Sequence, residues 1–447
     1  MANIYLRGDR QPALSGNSSG LGGGRTQARP ETNTDKLRPS AGKRVLILVE
    51  NLPSPFDRRV WQEATTLRAA GYQVTIICPT GRGYEKKFEI VEQIHIHRYH
   101  LPVEAEGPLG YALEYTTALL QTFLLSWKVF VGRGFDVIHA CNPPDLFFLI
   151  GIFFKAFGKK FLFDHHDINP ELYEAKFGRR DTFYRLLLRF ERWSFKTADV
   201  SIATNQSYRC IAIERGGMSP DRVFVVRSGP SLERLRIGPP HDELKRGRRY
   251  LVGYVGVMGK QEGIDHLLHA VHHIVYVHRR QDIHFGLVGG GTSLEAMKKL
   301  AASLGVADYV TFTGRVSDEE MLAMLNTADV CVNPDTASAM NDKSTMNKIM
   351  EYMALGKPIV QFDLTEGRFS AQESSLYAEP DDSVDLAAKL VFLLDDEALR
   401  QRMGTAGRQR VLNELAWHHE VPKLLAAYQT LWQGQEGSSP ASRVAAP

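Results

Sequence analysis

Cysteine is scarce: four residues at positions 78, 141, 210 and 331 of 447, with no C-x-x-C spacing. That excludes a disulfide framework and gives no thiolate metal site, so the chain reads as reduced and cytoplasmic. No apolar run reaches the roughly 18 to 20 uninterrupted residues that a membrane-crossing helix needs. Charge of one sign is also lacking. A net charge of +3 excludes a general polyanion-binding surface, and nucleic acid is not an expected partner. The loop after the first apolar strand, Glu50 to Arg59, holds no G-x-G-x-x-G, so a dinucleotide fingerprint is missing.

What is present is an ordinary globular composition, 43% hydrophobic and 23% charged, on a chain long enough for two domains. Residues 1–42 are rich in Gly, Ser, Asn, Arg and Pro and are expected to be a disordered tail, as are 434–447. From Arg44 onward, short apolar runs alternate with helical periods: strand Val45 to Val49, helix Arg58 to Ala70, strand Val74 to Cys78. Further strands are expected at 95–99, 137–140, 161–164, 200–203 and 223–226. Gly, Pro and basic residues between Arg227 and Arg249 mark a boundary, after which the alternation restarts at Tyr250. The expected architecture is α/β: two Rossmann-like, doubly wound parallel-sheet domains, 43–228 and 229–433, facing across a cleft.

In such sheets chemistry gathers in loops after strands. The strand Phe161-Leu162-Phe163 runs into Asp164-His165-His166-Asp167. There His166 could bond a sugar hydroxyl or move a proton, with Asp164 or Asp167 fixing its tautomer. The same residues could hold a divalent metal, although adjacent ligands rarely converge; a helix-capping turn is the plain alternative. In the first loop, Asn51, Phe56, Arg58 and Arg59 would overhang the cleft, the arginines meeting an anionic acceptor or simply being solvated. Glycine turns with Gly256, Gly259, Lys260 and Gly289, Gly290, Gly291 let backbone amides approach a phosphate, and Gly314 with Arg315 ends another strand. Finally, a helix starting near Ser344 or Thr345 brings Asn347, Lys348 and Glu351 to one end of the crevice. Amides and Lys348 suit a diphosphate, and Glu351 suits ribose hydroxyls; a surface ion pair is the alternative.

The apolar stretch Leu146 to Lys155, tipped by Lys155, Lys159 and Lys160, fits either a core helix or an interfacial surface at anionic headgroups.

These motifs, in this order from about Arg44 to Gln433 and above all Glu351-Tyr-Met-Ala-Leu-Gly356-Lys-Pro358, resemble the retaining glycosyltransferases of family four, of the bacterial exopolysaccharide and cell-surface glycan type. The resemblance implies the GT-B fold and a nucleotide-diphosphate-sugar donor bound by the second domain. It further implies a glycan or polyprenyl-linked acceptor bound mainly by the first, at the inner face of the plasma membrane, with neither metal nor cofactor. It places Glu351 at the donor ribose and His166 near the transferred sugar; Asp167 and Lys348, read from the residues themselves, complete the candidate catalytic set. Three departures stand out. Lys343 occupies the place of the first Glu of the family's E-x7-E pair, and Val257 and Glu262 occupy the places of its phosphate-binding Arg and Lys. Lys260 and Lys348 are the nearby cations. A sugar-nucleotide epimerase or phosphorylase, or a nucleotide-sugar-binding subunit without turnover, would use the same pocket.

Overall fold

A computed structural model of the protein describes residues 42–81, 83–100 and 107–433, and side chains from 115 onward in the third segment. Apart from Gly42, the two expected tails lie outside the described residues.

Eight strands form the first sheet: β1 (Arg44–Leu48), β2 (Gln73–Pro79), β3 (Phe88–Val91), β4 (Ile94–Tyr99), β5 (Val137–Cys141), β6 (Lys160–His165), β7 (Val200–Ala203) and β8 (Val223–Val225). Their spatial order is β3-β4-β2-β1-β5-β6-β7-β8, parallel throughout except for the β3–β4 hairpin. Six parallel strands form the second: β9 (Tyr250–Val255), β10 (Ile283–Val288), β11 (Val310–Gly314), β12 (Val330–Asn333), β13 (Ile359–Phe362) and β14 (Ser375–Ala378), ordered β11-β10-β9-β12-β13-β14. Central strands are apolar along nearly their whole length because helices cover both faces; Leu46, Ile47 and Leu48 are fully buried. The order reverses between β1 and β5 and between β9 and β12, and at such switch points a parallel sheet opens a crevice beyond its strand ends. Both glycine turns, the Asp164–Asp167 turn and Asp335 lie at those ends.

One local expectation is corrected, and two further elements are fixed in detail. The helix near Thr345 begins later, as Asn347–Ala354, and Met346 before it provides no side-chain cap. Ser344 instead ends the preceding short helix Ala339–Lys343 and bonds Tyr208, while the Thr345 hydroxyl accepts from Arg227 and Asn205. The last helix spans Trp417–Trp432, includes Pro422, and packs Leu424, Ala427, Tyr428 and Leu431 into the core of the first sheet. The apolar run forms the helix Phe148–Lys155, whose Phe148, Ile150 and Phe154 are buried while Leu149, Ile152 and Phe153 face outward.

Candidate active site

The polar turn after β6 is built on a buried charge cluster. Arg59, in the first turn of the helix Arg58–Ala69, donates to both oxygens of Asp164 at 2.8 and 3.3 Å, and its guanidinium lies 3.1 Å from Glu63 one helical turn on. The expectation that this arginine could be solvated fails. Arg59 is the buried member of the pair, because two carboxylates under the sheet's end require a cation there. Burial alone would raise the Asp164 carboxyl, yet the Arg59 charge, then His166 and the bond from His139, hold it well below the ordinary range. Burial pushes Glu63 well above that range, with Arg59 opposing and the Asp164 charge adding.

His139 lies between Tyr428 Oη (2.8 Å from Nδ1) and Asp164 Oδ2 (3.2 Å from Nε2). Burial lowers its pKa and favours the neutral ring. As Asp164 can only accept, the Nε2 proton goes to it and Nδ1 accepts from the tyrosine. His166 Nε2 is 2.5 Å from the same Asp164 oxygen and 2.9 Å from Arg59 Nε. Arg59 Nε can only donate, so Nε2 is taken up by the Arg59–Asp164 pair and Nδ1 is left to address a ligand. Arg59 and Asp164 together set the ring. Asp167 has its amide on Asn142 Oδ1, and burial pushes its carboxyl up. Glu63, Cys141, Asp164 and His166 offer ligand atoms within 4.8 Å of one another. The Arg59 guanidinium already supplies that cluster's positive charge, so the donor set does not favour a dication.

On the facing lobe the glycine turns interlock. A Cβ on Gly289 (φ +131°) would stand 1.8 Å from the Gly256 carbonyl, and one on Gly291 (φ +158°) 2.5 Å from that of Met258. Amides of Gly256, Gly259 and Gly289 are engaged by Val288 O, Glu262 Oε2 and Gly314 O. Gly290 and Gly291 have no such acceptor among the described residues, and Gly290 lies against the Arg315 side chain. Lys348 Nζ is bonded to Asp335 at 2.6 Å and lies 5.0 Å from the centre of the Tyr254 ring; it does not pair with Glu351. Burial raises the carboxyls of both Asp335 and Glu262, with Lys348 pulling each the other way. Lys260 and Asn347 are exposed.

The lobes meet around these groups. Arg58 reaches across to Asp318 at 2.8 Å and Glu351 at 3.3 Å, and Arg234 also contacts both carboxylates. The helix Asn169–Phe177, which follows the His166 turn, touches the Lys260–Glu262 turn. Asn51 is half-buried, and Phe56 is exposed beside Tyr84. Sequence reading therefore brought Arg58 and Glu351 to one cleft but missed Glu63, His139, Tyr428, Arg234 and Asp335. Glu63 was signalled by its four-residue spacing from Arg59, and Asp335 by its place just past β12; Tyr428 had no local signal.

Two family profiles match the chain: "Glycosyltransferase Family 4" over residues 57–234 and "Glycosyl transferases group 1" over residues 249–396. Among curated relatives, the 2-deoxystreptamine glucosyltransferase of Streptomyces kanamyceticus is 26% identical over 55% of this chain and 64% of the relative. The MMP alpha-(1->4)-mannosyltransferase of Mycolicibacterium hassiacum is 30% identical over 47% and 49%. The chain thus spans about half to just under two thirds of the length of these relatives. Among solved structures, sucrose-phosphate synthase of Thermosynechococcus elongatus superposes with a TM-score of 0.71 at 19% identity, covering 87% of this chain and 99% of that one. Anabaena HepE, solved with UDP and glucose, gives 0.67 at 14%, covering 87% and 100%. With one profile on each lobe and this shared architecture, the chain belongs to glycosyltransferase family 4 and has the two-domain GT-B fold.

Proposed function

We propose that the protein transfers a sugar, with retention of anomeric configuration and without a metal, from a nucleotide-diphosphate donor to a glycan or polyprenyl-linked acceptor. The setting is cell-surface polysaccharide synthesis at the cytoplasmic face of the membrane. The observation carrying this reading is the placement of Glu351 in the second lobe, on a helix whose start is uncapped, paired across the cleft with Arg58, whose neighbour Arg59 bonds His166. The donor diphosphate would take the amides of Gly290 and Gly291, the start of the helix at Asn347, and the Lys348 charge. Glu351 would exchange its arginine partners for ribose hydroxyls. Fixed positive groups then stabilise the charge growing on the departing diphosphate, and His166 Nδ1 addresses the transferred sugar. Anabaena HepE, of the same fold, was solved with UDP and glucose.

The rival of a nucleotide-sugar-binding subunit without turnover rests on Val257, Glu262 and Lys343, and on Lys348 being held by Asp335. A melting-temperature screen of UDP- and GDP-sugars, followed by transfer assays on extracted glycolipid acceptors, separates the two. A stabilising donor and a transferred sugar are expected, with Glu351→Ala weakening donor binding about tenfold and Lys348→Ala lowering kcat about a hundredfold. Binding without transfer selects the rival, and no stabilising nucleotide sugar removes both.

A further inference from the structure

Two helices of the first lobe repeat one spacing with opposite chemistry. In Gly107–Gly132, Leu120, Leu124, Trp127 and Val131 fall at i, i+4, i+7 and i+11 and are all exposed, between 40% and 69%. A helix places such positions on one face. In Thr182–Thr197 the same spacing holds Arg185, Arg189, Arg192 and Lys196, all exposed and without an ion pair or hydrogen-bond partner among the described residues. Between the two lies the helix Phe148–Lys155. Its Phe153 ring packs on Trp127 at 5.9 Å and Phe148 on Trp193 at 5.7 Å, and Lys155 Nζ bonds Thr197 O at 2.8 Å. The exposed Leu149, Ile152, Phe153 and Phe157 therefore continue the apolar stripe toward the cationic one.

The cations flagged by sequence are not the free ones. Lys155 and Lys160 both face Asp199, at 3.1 and 3.9 Å, and Lys159 lies over the Phe130 ring. Free positive charge sits one helix further on. Among the described side chains of these three helices, the one carboxylate is Glu191, buried against Arg215. No helix among the described residues is long and apolar enough to cross a membrane.

We propose that this three-helix face docks on an anionic phospholipid bilayer, with Leu120, Leu124, Trp127 and Ile152 entering the headgroup boundary and Arg185, Arg189, Arg192 and Lys196 meeting lipid phosphates. The face extends the reading of a membrane-borne acceptor and rests on it for its role, while its contact is measured apart from transfer. An apolar stripe of this size alone would fit any partner. The adjoining row of unpaired cations, with no exposed carboxylate among them, matches a surface of uniform negative charge.

The test is co-sedimentation of the full chain with vesicles of phosphatidylcholine, alone or mixed with phosphatidylglycerol. Binding is expected to the mixed vesicles only, falling as salt rises. Combining Arg185→Gln, Arg189→Gln and Arg192→Gln should weaken it about a hundredfold, at about fivefold per charge. Leu124→Ser with Ile152→Ser should weaken it about tenfold. Melting temperature and donor stabilisation should stay unchanged in both variants, so loss of vesicle binding is read separately from any failure of the donor site. The inference falls if the wild type stays in the supernatant, if either variant binds as well as the wild type, or if the protein is a dimer that Leu124→Ser with Ile152→Ser makes monomeric.

Discussion

At the scale of single residues, the ground beneath the cleft is a set of buried carboxyls with opposite assignments. Asp145 illustrates how environment overrides side-chain identity. It accepts from Asn142 Nδ2 at 2.8 Å and Asn169 Nδ2 at 2.7 Å, yet burial, with the Glu191 charge adding, pushes its pKa up to about 6. A folded-state value above the ordinary 3.8 means that the folded protein holds a proton the unfolded chain has released. Stability from this group is full below pH 3.8 and lost as pH rises to about 6. Asp145→Asn lacks that dependence. In urea unfolding at pH 4 and pH 7, the variant should therefore gain about 2 kcal/mol on the wild type between the two; a constant difference refutes the assignment. Such a group is hard to read in sequence. Asp145 follows a Pro-Pro turn that looks solvated, and one of its partners, Asn169, comes from the segment after β6, 24 residues away. Arg59 is the same case: adjacent to Arg58, it differs only in facing Asp164, 105 residues away.

At the scale of elements, pattern was informative where one physical rule acted alone. Strands buried on both faces read as continuous apolar runs, so β1, β2, β5 and β6 were legible, and the rule that ligands gather past strand ends led to the Asp164 turn and the glycine turns. The β3–β4 hairpin was half missed. Its turn uses Glu92 and Gln93 at φ of +47° and +64°, where Asn-Gly is the usual signal, and Phe88 and Ile90 on the edge strand are exposed. The glycine turns held a different surprise: the amides of Gly256, Met258 and Gly289 close one segment onto the next. Gly289 tests this. With positive φ and a carbonyl where its Cβ would stand, Gly289→Ala should cost about 2 to 4 kcal/mol in chemical denaturation. Gly290→Ala, whose Cβ would meet only Arg315 Cγ at 3.8 Å, should cost well under half as much and act instead on donor affinity. Equal stability losses would show that the loops do not interlock as described.

At the scale of the molecule, the two lobes are joined by a buried polar seam that no local pattern announced. Arg227, just past β8, looked like the start of a polar boundary loop, yet its guanidinium is 3.5 Å from Glu366, 139 residues on, and its amide donates to Glu420 in the last helix at 2.9 Å. Glu366 also accepts from Ser207 Oγ at 2.7 Å. One carboxylate thus ties two segments of the first lobe to the helix Thr365–Ala371 of the second. Removing it leaves a buried arginine short of a counter-charge, which typically costs about 3 to 5 kcal/mol. Because the contact lies between lobes, that cost should appear as opening rather than unfolding of either sheet. Glu366→Ala is expected to raise the radius of gyration in small-angle scattering and to weaken donor stabilisation, since the Arg58–Glu351 approach depends on the same closure. Arg227→Ala added to it should recover part of the loss, because the unpaired cation goes with it. A compact single variant with unchanged donor binding would show that the seam accompanies closure without holding it.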